Sequence, residues 1–364
     1  MKKVFPVLLT LILFSCSGSK ENPEAATSFE VNVLEPEIVD SDTAILDISR
    51  GLRFASLDES GQFLYAFDNK RMRIDVFDLA NKKYKESVQL EAEGPNGTGT
   101  RVIGFSFQNK QRMLIRSSNS LHLFTYEGQR LASLGLKDMS IEEARDNSGV
   151  FFISNPGIPD QSIEHFYWVY DSLDQGRKGI AHLDMKTKAV KFNPLKVMEA
   201  LQRYDFRPIS FPPELTYAND RIILSHTFSN DLFVFNTEDE AVTNKDYQSS
   251  LIADEKKLTV PTGAGMEHVR GFMDESGKQV SFLPPVYDAS KGLHYRLAFE
   301  PPKAEDGIYL TVITIFDKEL NFLFESEVDL AYAPYRYFAH DGELIIASNM
   351  EEELQIQRIR ISAN

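Results

Sequence analysis

Apolar and polar residues alternate in short runs along most of the chain, which is the pattern of β-strands. From Phe29 onward, runs of four to eight residues rich in Val, Ile, Phe, Tyr and Leu are separated by polar clusters such as "DESG", "NKQ" and "AHDGE". The strongest helical pattern is short and covers residues 193–204, "NPLKVMEALQRY". The sequence therefore predicts an all-β protein.

One longer pattern recurs: an apolar strand, a polar turn, a second strand that often ends in Asp or Asn, and a third strand. Its equivalent positions lie 47, 59, 52, 81 and 43 residues apart, at Phe77, Phe124, Leu183, Phe235, Phe316 and Ile359. Antiparallel repeats of about 40 to 50 residues are typical of β-propeller blades. Six repeats predict a six-bladed β-propeller.

The longest interval leaves two interpretations open. Residues 245–290 alternate poorly and contain many turn-forming residues, so we expect an insertion there, with a degenerate seventh blade as the alternative. The last repeat stops after its third strand, at Ile361. We therefore expect an N-terminal segment near "TAILDIS", residues 43–49, to supply the missing outer strand and close the ring without an unpaired sheet edge.

The N-terminus has the pattern of an export signal. Two lysines precede an apolar run over residues 4–14, about half of the roughly 20 residues that a membrane-spanning helix needs. Cys16, the only cysteine, directly follows "LFS" and resembles the lipid-attachment cysteine of a lipobox. We predict a lipoprotein signal peptide at 1–15, lipid attachment at Cys16, a flexible tether at 16–28 and a propeller domain at 29–364. An ordinary secretory signal with an incidental cysteine is the alternative.

The charge of the chain restricts its partners. The net charge is −15, and removal of residues 1–15 with their two lysines makes it −17. Because nucleic-acid binding needs clustered Lys and Arg, we expect no nucleic-acid partner. The expected location is the bacterial cell envelope, most specifically the outer membrane, with the lipid as membrane anchor and a protein, peptide or glycan as partner.

The glycine-rich stretch "EGPNGTGTRV" invites comparison with a phosphate-binding loop. It lacks the Gly-Lys-Ser/Thr ending and the following helix that such a loop requires. Pro95 fixes φ, and the Asn96-Gly97 pair readily adopts positive φ, as a tight connection demands. We therefore interpret the stretch as a crossover from one blade to the next, and Asn96 is a candidate ligand contact because crossovers lead towards the central channel.

Three features together resemble one family. The "LFSC" lipobox, the Gly-Pro-Asn-Gly crossover and the repeated "VFD", "VFN" and "IFD" strand ends are similar to those of uncharacterised Gram-negative lipoproteins with TolB-like six-bladed β-propellers. The resemblance covers about residues 30–361. It implies a fold and an envelope location, and it implies no activity.

The sequence contains no recognisable catalytic motif. The seven histidines are scattered without H-E-x-x-H or H-x-H spacing, and no G-x-S-x-G nucleophile motif occurs. We predict no catalytic residues, no cofactor and no metal ligands. The alternative is a calcium-dependent hydrolase or lactonase acting at the central channel, with oxygen ligands from Asp68, Asn119, Asn230 and Asp231. Each of these residues also fits a strand-connecting turn, which is the favoured interpretation.

Two aromatic segments are candidates for binding. In "HFYWVYDS", Phe166, Trp168 and Tyr170 share one side of a strand, where they form either a stacking platform or, as we favour, packing between blades. The segment "LPPVYDASKGLHYRLAF", residues 283–299, is expected to belong to the irregular insertion. Loops on a rigid scaffold commonly bind ligands, so the candidate contacts there are Tyr287, His294, Tyr295 and Arg296. The sequence as a whole favours a non-catalytic, ligand- or protein-binding propeller.

Overall fold

The computed structural model describes residues 28–364, with short gaps inside that range. The gaps are residues 42–43, 45, 47–51, 53, 109–111, 119, 136–139, 142–150, 154–156, 173–176, 206–210, 262–264, 303–308, 331–335 and 351–352. The predicted signal peptide, Cys16, nearly all of the predicted tether and Asn119 lie outside the described residues. No helix in the described part of the chain has the length and apolar content needed to cross a membrane.

The described strands form six sheets, which are the blades of a β-propeller. Two N-terminal strands, β1 (Phe29–Val33) and β2 (Glu37–Ile38), precede the first blade. Blade one consists of β3 (Ala55–Leu57), β4 (Phe63–Asp68), β5 (Arg73–Asp78) and β6 (Lys83–Gln89). Blade two consists of β7 (Val102–Gln108), β8 (Arg112–Ser117), β9 (Ser120–Thr125) and β10 (Arg130–Gly135). Blade three consists of β11 (Ser140–Ile141), β12 (Phe151–Ile153), β13 (Ile158–Pro159), β14 (His165–Ser172), β15 (Arg177–Asp184) and β16 (Ala189–Pro194).

The second half of the ring repeats this arrangement and adds two helices. A short helix, α1 (Val197–Leu201), leads to blade four, which consists of β17 (Glu214–Ala218), β18 (Arg221–His226), β19 (Ser229–Asn236) and β20 (Val242–Lys245). The longer helix α2 (Met266–Gly277) precedes blade five, which consists of β21 (Ser281–Phe282), β22 (Val286–Asp288), β23 (Leu293–Glu300), β24 (Leu310–Asp317) and β25 (Phe322–Val328). Blade six consists of β26 (Tyr337–His340), β27 (Glu343–Met350) and β28 (Glu353–Ala363). The all-β, six-bladed prediction is confirmed, and the described part of residues 245–290 forms no seventh blade.

The ring is closed by β1, which pairs antiparallel with β28 as the outer strand of blade six. The register runs from Phe29 opposite Ala363 to Val33 opposite Ile359. Closure by an N-terminal strand is therefore confirmed, but its predicted location at residues 43–49 is wrong. Phe29, Val31 and Val33 recur at every second position and all pack on the cluster between blades five and six, which fixes this segment against β28.

Apolar clusters fill the wedges between neighbouring blades. One cluster joins each adjacent pair, and together they extend around the whole ring. Strand β14 shows the principle, because Phe166, Trp168 and Tyr170 face blade two, whereas Tyr167 and Val169 face blade four. The expectation that this aromatic row packs between blades is confirmed. Each blade is thus covered on both sides, and among the described residues the apolar contacts are mostly shared with a neighbouring blade; a further cluster packs blade five against its crossover through Ile252.

The recurring Asp or Asn at strand ends has a local cause. In blade one, the Asp78 carboxylate accepts hydrogen bonds from the amides of Ala80 and Asn81 at 3.1 and 3.0 Å. Equivalent side-chain-to-amide bonds hold the third-to-fourth-strand turns of other blades, at Asp184, Asn236 and Asp317. A residue with positive φ follows in each of these turns, at Lys82, Lys188, Glu240 and Leu320. The "VFD", "VFN" and "IFD" motifs therefore end strands by turn capping.

Strand direction gives the ring two distinct faces. The crossover face carries the blade-to-blade connections, and the turn face carries the hairpins that follow the first and third strands of a typical blade. Residues 245–290, predicted to be an insertion, contain the crossover from β20 to β21 with α2, and then β21 and β22. The expectation that residues 283–299 are irregular is wrong, because most of them form β22 and β23.

Loss of β1 should destabilise the whole ring. A chain beginning at residue 36 lacks β1 and exposes the edge of β28 from Ile359 to Ala363, although β2 still pairs with Gln355 and Ile356, whereas a chain beginning at residue 28 retains β1. We expect the shorter chain to melt at a temperature lower by about 10 °C or more and to self-associate through the open edge. Circular dichroism melts and size-exclusion chromatography test this. Equal melting temperatures and a monomeric shorter chain would contradict the role of β1 in closure.

Candidate functional site

The crossover between blades four and five, residues 246–280, is the largest addition to the crossover face in the described structure. It carries α2, whose Val269, Phe272 and Ser276 are buried on one side. These residues are three and four positions apart, which is the spacing of one helical face. This spacing is also present in the sequence, where it indicates a helix. The sequence-based prediction missed this helix because many turn-forming residues surround the segment.

An aromatic cluster holds α2 on the ring. Phe272 from α2 packs in one cluster with Tyr204, Phe211 and Phe228. The ring centroid of Phe211 lies 4.8 Å from that of Phe228 and 5.6 Å from that of Phe272. The Tyr204 hydroxyl donates to the Lys256 carbonyl at 2.6 Å. Tyr204 and Phe211 come from the crossover between blades three and four, Phe228 from the hairpin between β18 and β19, and Phe272 from the crossover between blades four and five. The cluster therefore packs these three connections against one another on the crossover face.

His226 orders the base of this cluster. Its Nδ1 accepts a hydrogen bond from the Phe228 amide at 3.1 Å, and its Nε2 lies 2.7 Å from the Phe211 carbonyl oxygen. An accepting Nδ1 and a donating Nε2 require the neutral ring with its proton on Nε2. Burial lowers the pKa of His226, so the neutral form is favoured.

Lys256 anchors the C-terminal end of α2. Its ammonium group donates to the Ser276 carbonyl at 2.6 Å and to the hydroxyls of Ser276 and Ser281 at 3.1 and 3.0 Å. A cation beside the last carbonyls of a helix also favours the helix dipole. Burial lowers the pKa of Lys256 to about 8. The Lys256 ammonium group therefore holds the C-terminal end of α2 in place, and it is itself partly removed from water.

Arg296 in β23 holds the start of the same crossover against blade four. It is only 1% exposed, although it was predicted to contact a ligand from a loop. Its guanidinium donates to the carbonyls of Leu283, Asn230 and Ser229 at 2.9, 2.7 and 3.1 Å and to the Tyr247 hydroxyl at 3.1 Å. These bonds link blade five to blade four and to the start of the crossover, so its observed contacts are structural.

The other predicted contacts are also placed by strands. His294 and Tyr295 lie buried in β23, and Tyr287 is half-buried in β22 with its ring centroid 4.6 Å from that of His294. Asn96 lies far from this group in sequence, in the crossover between blades one and two, where its side-chain Oδ1 accepts a hydrogen bond from the Arg130 backbone amide at 3.2 Å. The crossover interpretation of that stretch agrees with its position between β6 and β7, and contact with a ligand stays a prediction for these residues.

Of the calcium candidates that the structure describes, Asp68 caps a turn, whereas Asn230 and Asp231 lie at the start of β19. Asp68 accepts from the Lys70 and Arg71 amides at 2.8 and 3.0 Å, and Asn230 donates to the Asp254 carboxylate at 3.0 Å. Asp231 accepts from the Ser229 hydroxyl at 2.5 Å. Over the described residues, no three or more His, Cys, Asp or Glu side chains come together as a metal-binding group.

Sequence spacing missed one pair of histidines. His165 Nδ1 and His182 Nε2 lie 2.9 Å apart on the turn face of blade three. The two residues are far apart in sequence and meet only because the register of β14 and β15 places His182 opposite Tyr167. Sequence separation alone contains no signal for this pair.

Acid should destabilise the fold through its buried histidines. Burial lowers the pKa of His122 and of His294 to about 4. Below an unfolded-state pKa of about 6.5, the unfolded chain binds more protons, so stability is lost as the pH falls from about 7 towards 4. We expect a melting temperature lower by several degrees at about pH 5 than at about pH 7.5, and a smaller difference for His294→Gln.

The exposed His268 provides the matched control for this measurement, since His268→Gln should leave the pH difference unchanged. Asp75 acts in the opposite direction, because burial raises the pKa of its carboxyl to about 6. Because Asp75 is unchanged in the wild type and in His294→Gln, the difference between these two proteins reports the effect of His294 alone. An identical pH difference in the wild type and His294→Gln would contradict the histidine assignment.

Two solved structures have a fold similar to that of this chain. A crystal structure of a DUF4221 family member from Bacteroides vulgatus ATCC 8482 is 15% identical, with 93% of this chain and 100% of that chain covered and a TM-score of 0.65. A "putative exported protein" from Bacteroides fragilis NCTC 9343 is 8% identical, with 92% and 95% covered and a TM-score of 0.53. At these identities the likeness concerns the fold alone.

No curated protein matches the chain. Residues 30–327 match the family described as a domain of unknown function, DUF4221, and this match spans most of the chain and five of the six blades. The chain therefore belongs to the DUF4221 family.

Proposed function

We propose that this protein is a lipid-anchored binding protein of the bacterial outer membrane that holds a protein partner on its crossover face. The observation that carries the proposal is the outward side of α2, where Met266 is 76% exposed and Met273 is 47% exposed. The six blades close without this helix, so its presence is not explained by ring geometry. Methionine side chains are flexible and polarisable and adapt readily to partner surfaces.

The charge around α2 favours one kind of partner. Glu267, Asp274 and Glu275 are exposed on the helix, against Arg270 on the helix and Lys278 directly after it, whose ammonium lies 3.8 Å from the Glu275 carboxylate. The whole chain carries a net charge of −15. A protein surface with an apolar patch and a basic rim would complement both the methionines and the carboxylates.

The rigidity of the helix supports binding with little ordering cost. Phe272 in the aromatic cluster and Lys256 at the C-terminal end fix α2 from two directions. A surface that is already ordered loses less conformational entropy when a partner binds. The exposed methionines are therefore presented on a fixed frame.

The described chain enters the ring on the side away from α2. Residue 28 leads into β1 beside Ala363, at the turn-face end of blade six, whereas α2 is part of the crossover face. An anchor at Cys16 would connect through residues 17–28 to the turn face. This arrangement supports a crossover face that is directed away from the membrane and is open to partners.

The anchor is tested by changing its cysteine. We expect Cys16→Ala to move the protein from the membrane fraction to the soluble fraction of the cell, because stable attachment depends on the lipid. Fractionation followed by immunoblotting measures this, with Ser17→Ala as the matched control. Equal membrane retention of Cys16→Ala would contradict lipid attachment at Cys16.

The binding surface is tested by photo-crosslinking in the native envelope, with a photoreactive residue in place of Arg270. We expect a crosslinked protein that is reduced about tenfold or more in Met266→Ser/Met273→Ser, since anchoring apolar residues dominate interfaces. Leu131→Ser is the matched control, because Leu131 is 53% exposed on the outer strand of blade two. A probe at Lys186, on the turn face, should give no such product.

Two outcomes would overturn this proposal. Crosslinking that is equal in the double variant and the control would remove α2 from the interface. A saturable rise in melting temperature with calcium would instead support the alternative of a calcium-dependent hydrolase or lactonase.

A further inference from the structure

We propose that His165 and His182 form a binding site for a divalent transition-metal ion, such as Cu²⁺, Ni²⁺ or Zn²⁺, on the turn face of blade three. The two residues lie on adjacent antiparallel strands, where Tyr167 pairs with His182 and His165 pairs with Asp184. All four side chains share one side of the hairpin because they occupy alternate positions. Both imidazoles are half-buried, so the pair is reachable from solvent.

The separation of the two rings suits a shared metal ion. His165 Nδ1 and His182 Nε2 lie 2.9 Å apart. Two nitrogen ligands at about 2.0–2.1 Å from one ion, with a right angle between them, are separated by about 2.9 Å. The distance therefore matches two neighbouring positions of an octahedral or square-planar ion, provided that each ring turns so that its lone pair points at the ion and no longer along the line between the two nitrogens.

The proton balance of binding is simple. In the neutral pair, one ring donates its N–H to the other, so one of the two facing nitrogens carries a proton. Metal binding requires both of these lone pairs, and the bridging proton moves to the other nitrogen of its own ring. Each imidazole then keeps one proton, and no proton is released from the neutral pair.

Neighbouring aromatic rings hold the ligands in place. The His182 ring stacks on Tyr167 at 4.8 Å and 16°, and Tyr167 stacks on Tyr217 of blade four at 6.3 Å and 18°. The Tyr217 hydroxyl in turn donates to the Asp220 carboxylate at 2.8 Å. Because the stack crosses the wedge between two blades, His182 has a fixed support, and a rigid ligand lowers the cost of binding.

The surrounding charge favours a cation. Asp184 and Glu240 act on His182 electrostatically, but Glu240 is paired with Lys191 at 2.6 Å, so these two charges largely offset each other and Asp184 supplies the negative charge. Among the described residues no third protein ligand completes the site. The remaining coordination positions therefore belong to water or to a donor from another molecule, which implies moderate affinity and an open site.

The test is metal titration of the full chain carrying Cys16→Ala, which removes the competing thiol. Isothermal titration with Cu²⁺, Ni²⁺ and Zn²⁺ should show one site with a dissociation constant on the order of micromolar, weakened at least about tenfold by His165→Gln or His182→Gln. His268→Gln, which changes an exposed histidine on α2, is the matched control and should leave binding unchanged.

Electron paramagnetic resonance of the Cu²⁺ complex provides an independent readout, because two coordinated imidazoles give nitrogen splittings that each single variant should reduce to one. Thermal melts of the variants confirm that they are folded. Binding that is absent for all three ions, or equal in the wild type and both histidine variants, would overturn the site. Neither result bears on the partner surface of α2, which lies on the other face.

Discussion

The pairing of β1 with β28 is the constraint on which the rest of the structure depends. Most of the described apolar residues of each sheet face the wedges that it shares with its two neighbours, so the blades depend on one another for their core. The apolar side chains in these wedges are shielded from water only if every blade has a neighbour on both sides. A single strand from the N-terminus completes the last blade and so stabilises all of the others.

A closed ring leaves the connections free to differ. Residues 246–280 are tied to the ring by two buried cations, because Lys256 donates to the Ser281 hydroxyl of β21 and Arg296 of β23 donates to the Tyr247 hydroxyl. Burying a charge is expensive unless its hydrogen bonds are replaced, and here carbonyl and hydroxyl groups replace them. The crossover is therefore a fixed part of the molecule, and its outward methionines lie on a rigid support.

The two faces of the ring offer different chemistry. The crossover face presents methionine and carboxylate side chains on α2, which suits a protein surface. The turn face presents the pair of His165 and His182, supported by a stack of tyrosines, which suits a metal ion. Both sites depend on contacts between neighbouring blades, so they exist only in the assembled ring.

The sequence by itself determined the repeating unit. Alternation of apolar residues and the capping Asp or Asn at strand ends are local effects, and together they predicted six blades and the packing of the aromatic row in β14. Closure by an N-terminal strand followed from the incomplete last repeat, but the choice of β1 depended on its register with a strand more than 300 residues away.

Only the tertiary structure decided which polar residues are accessible and which meet. The segment containing Tyr295 and Arg296 has loop-like composition, yet pairing with β24 buries it as a central strand of blade five. His165 and His182 become neighbours through strand register, which has no signature in their spacing. Local preferences act over a few residues, whereas burial and pairing depend on the whole ring, and the candidate site belongs to this second level.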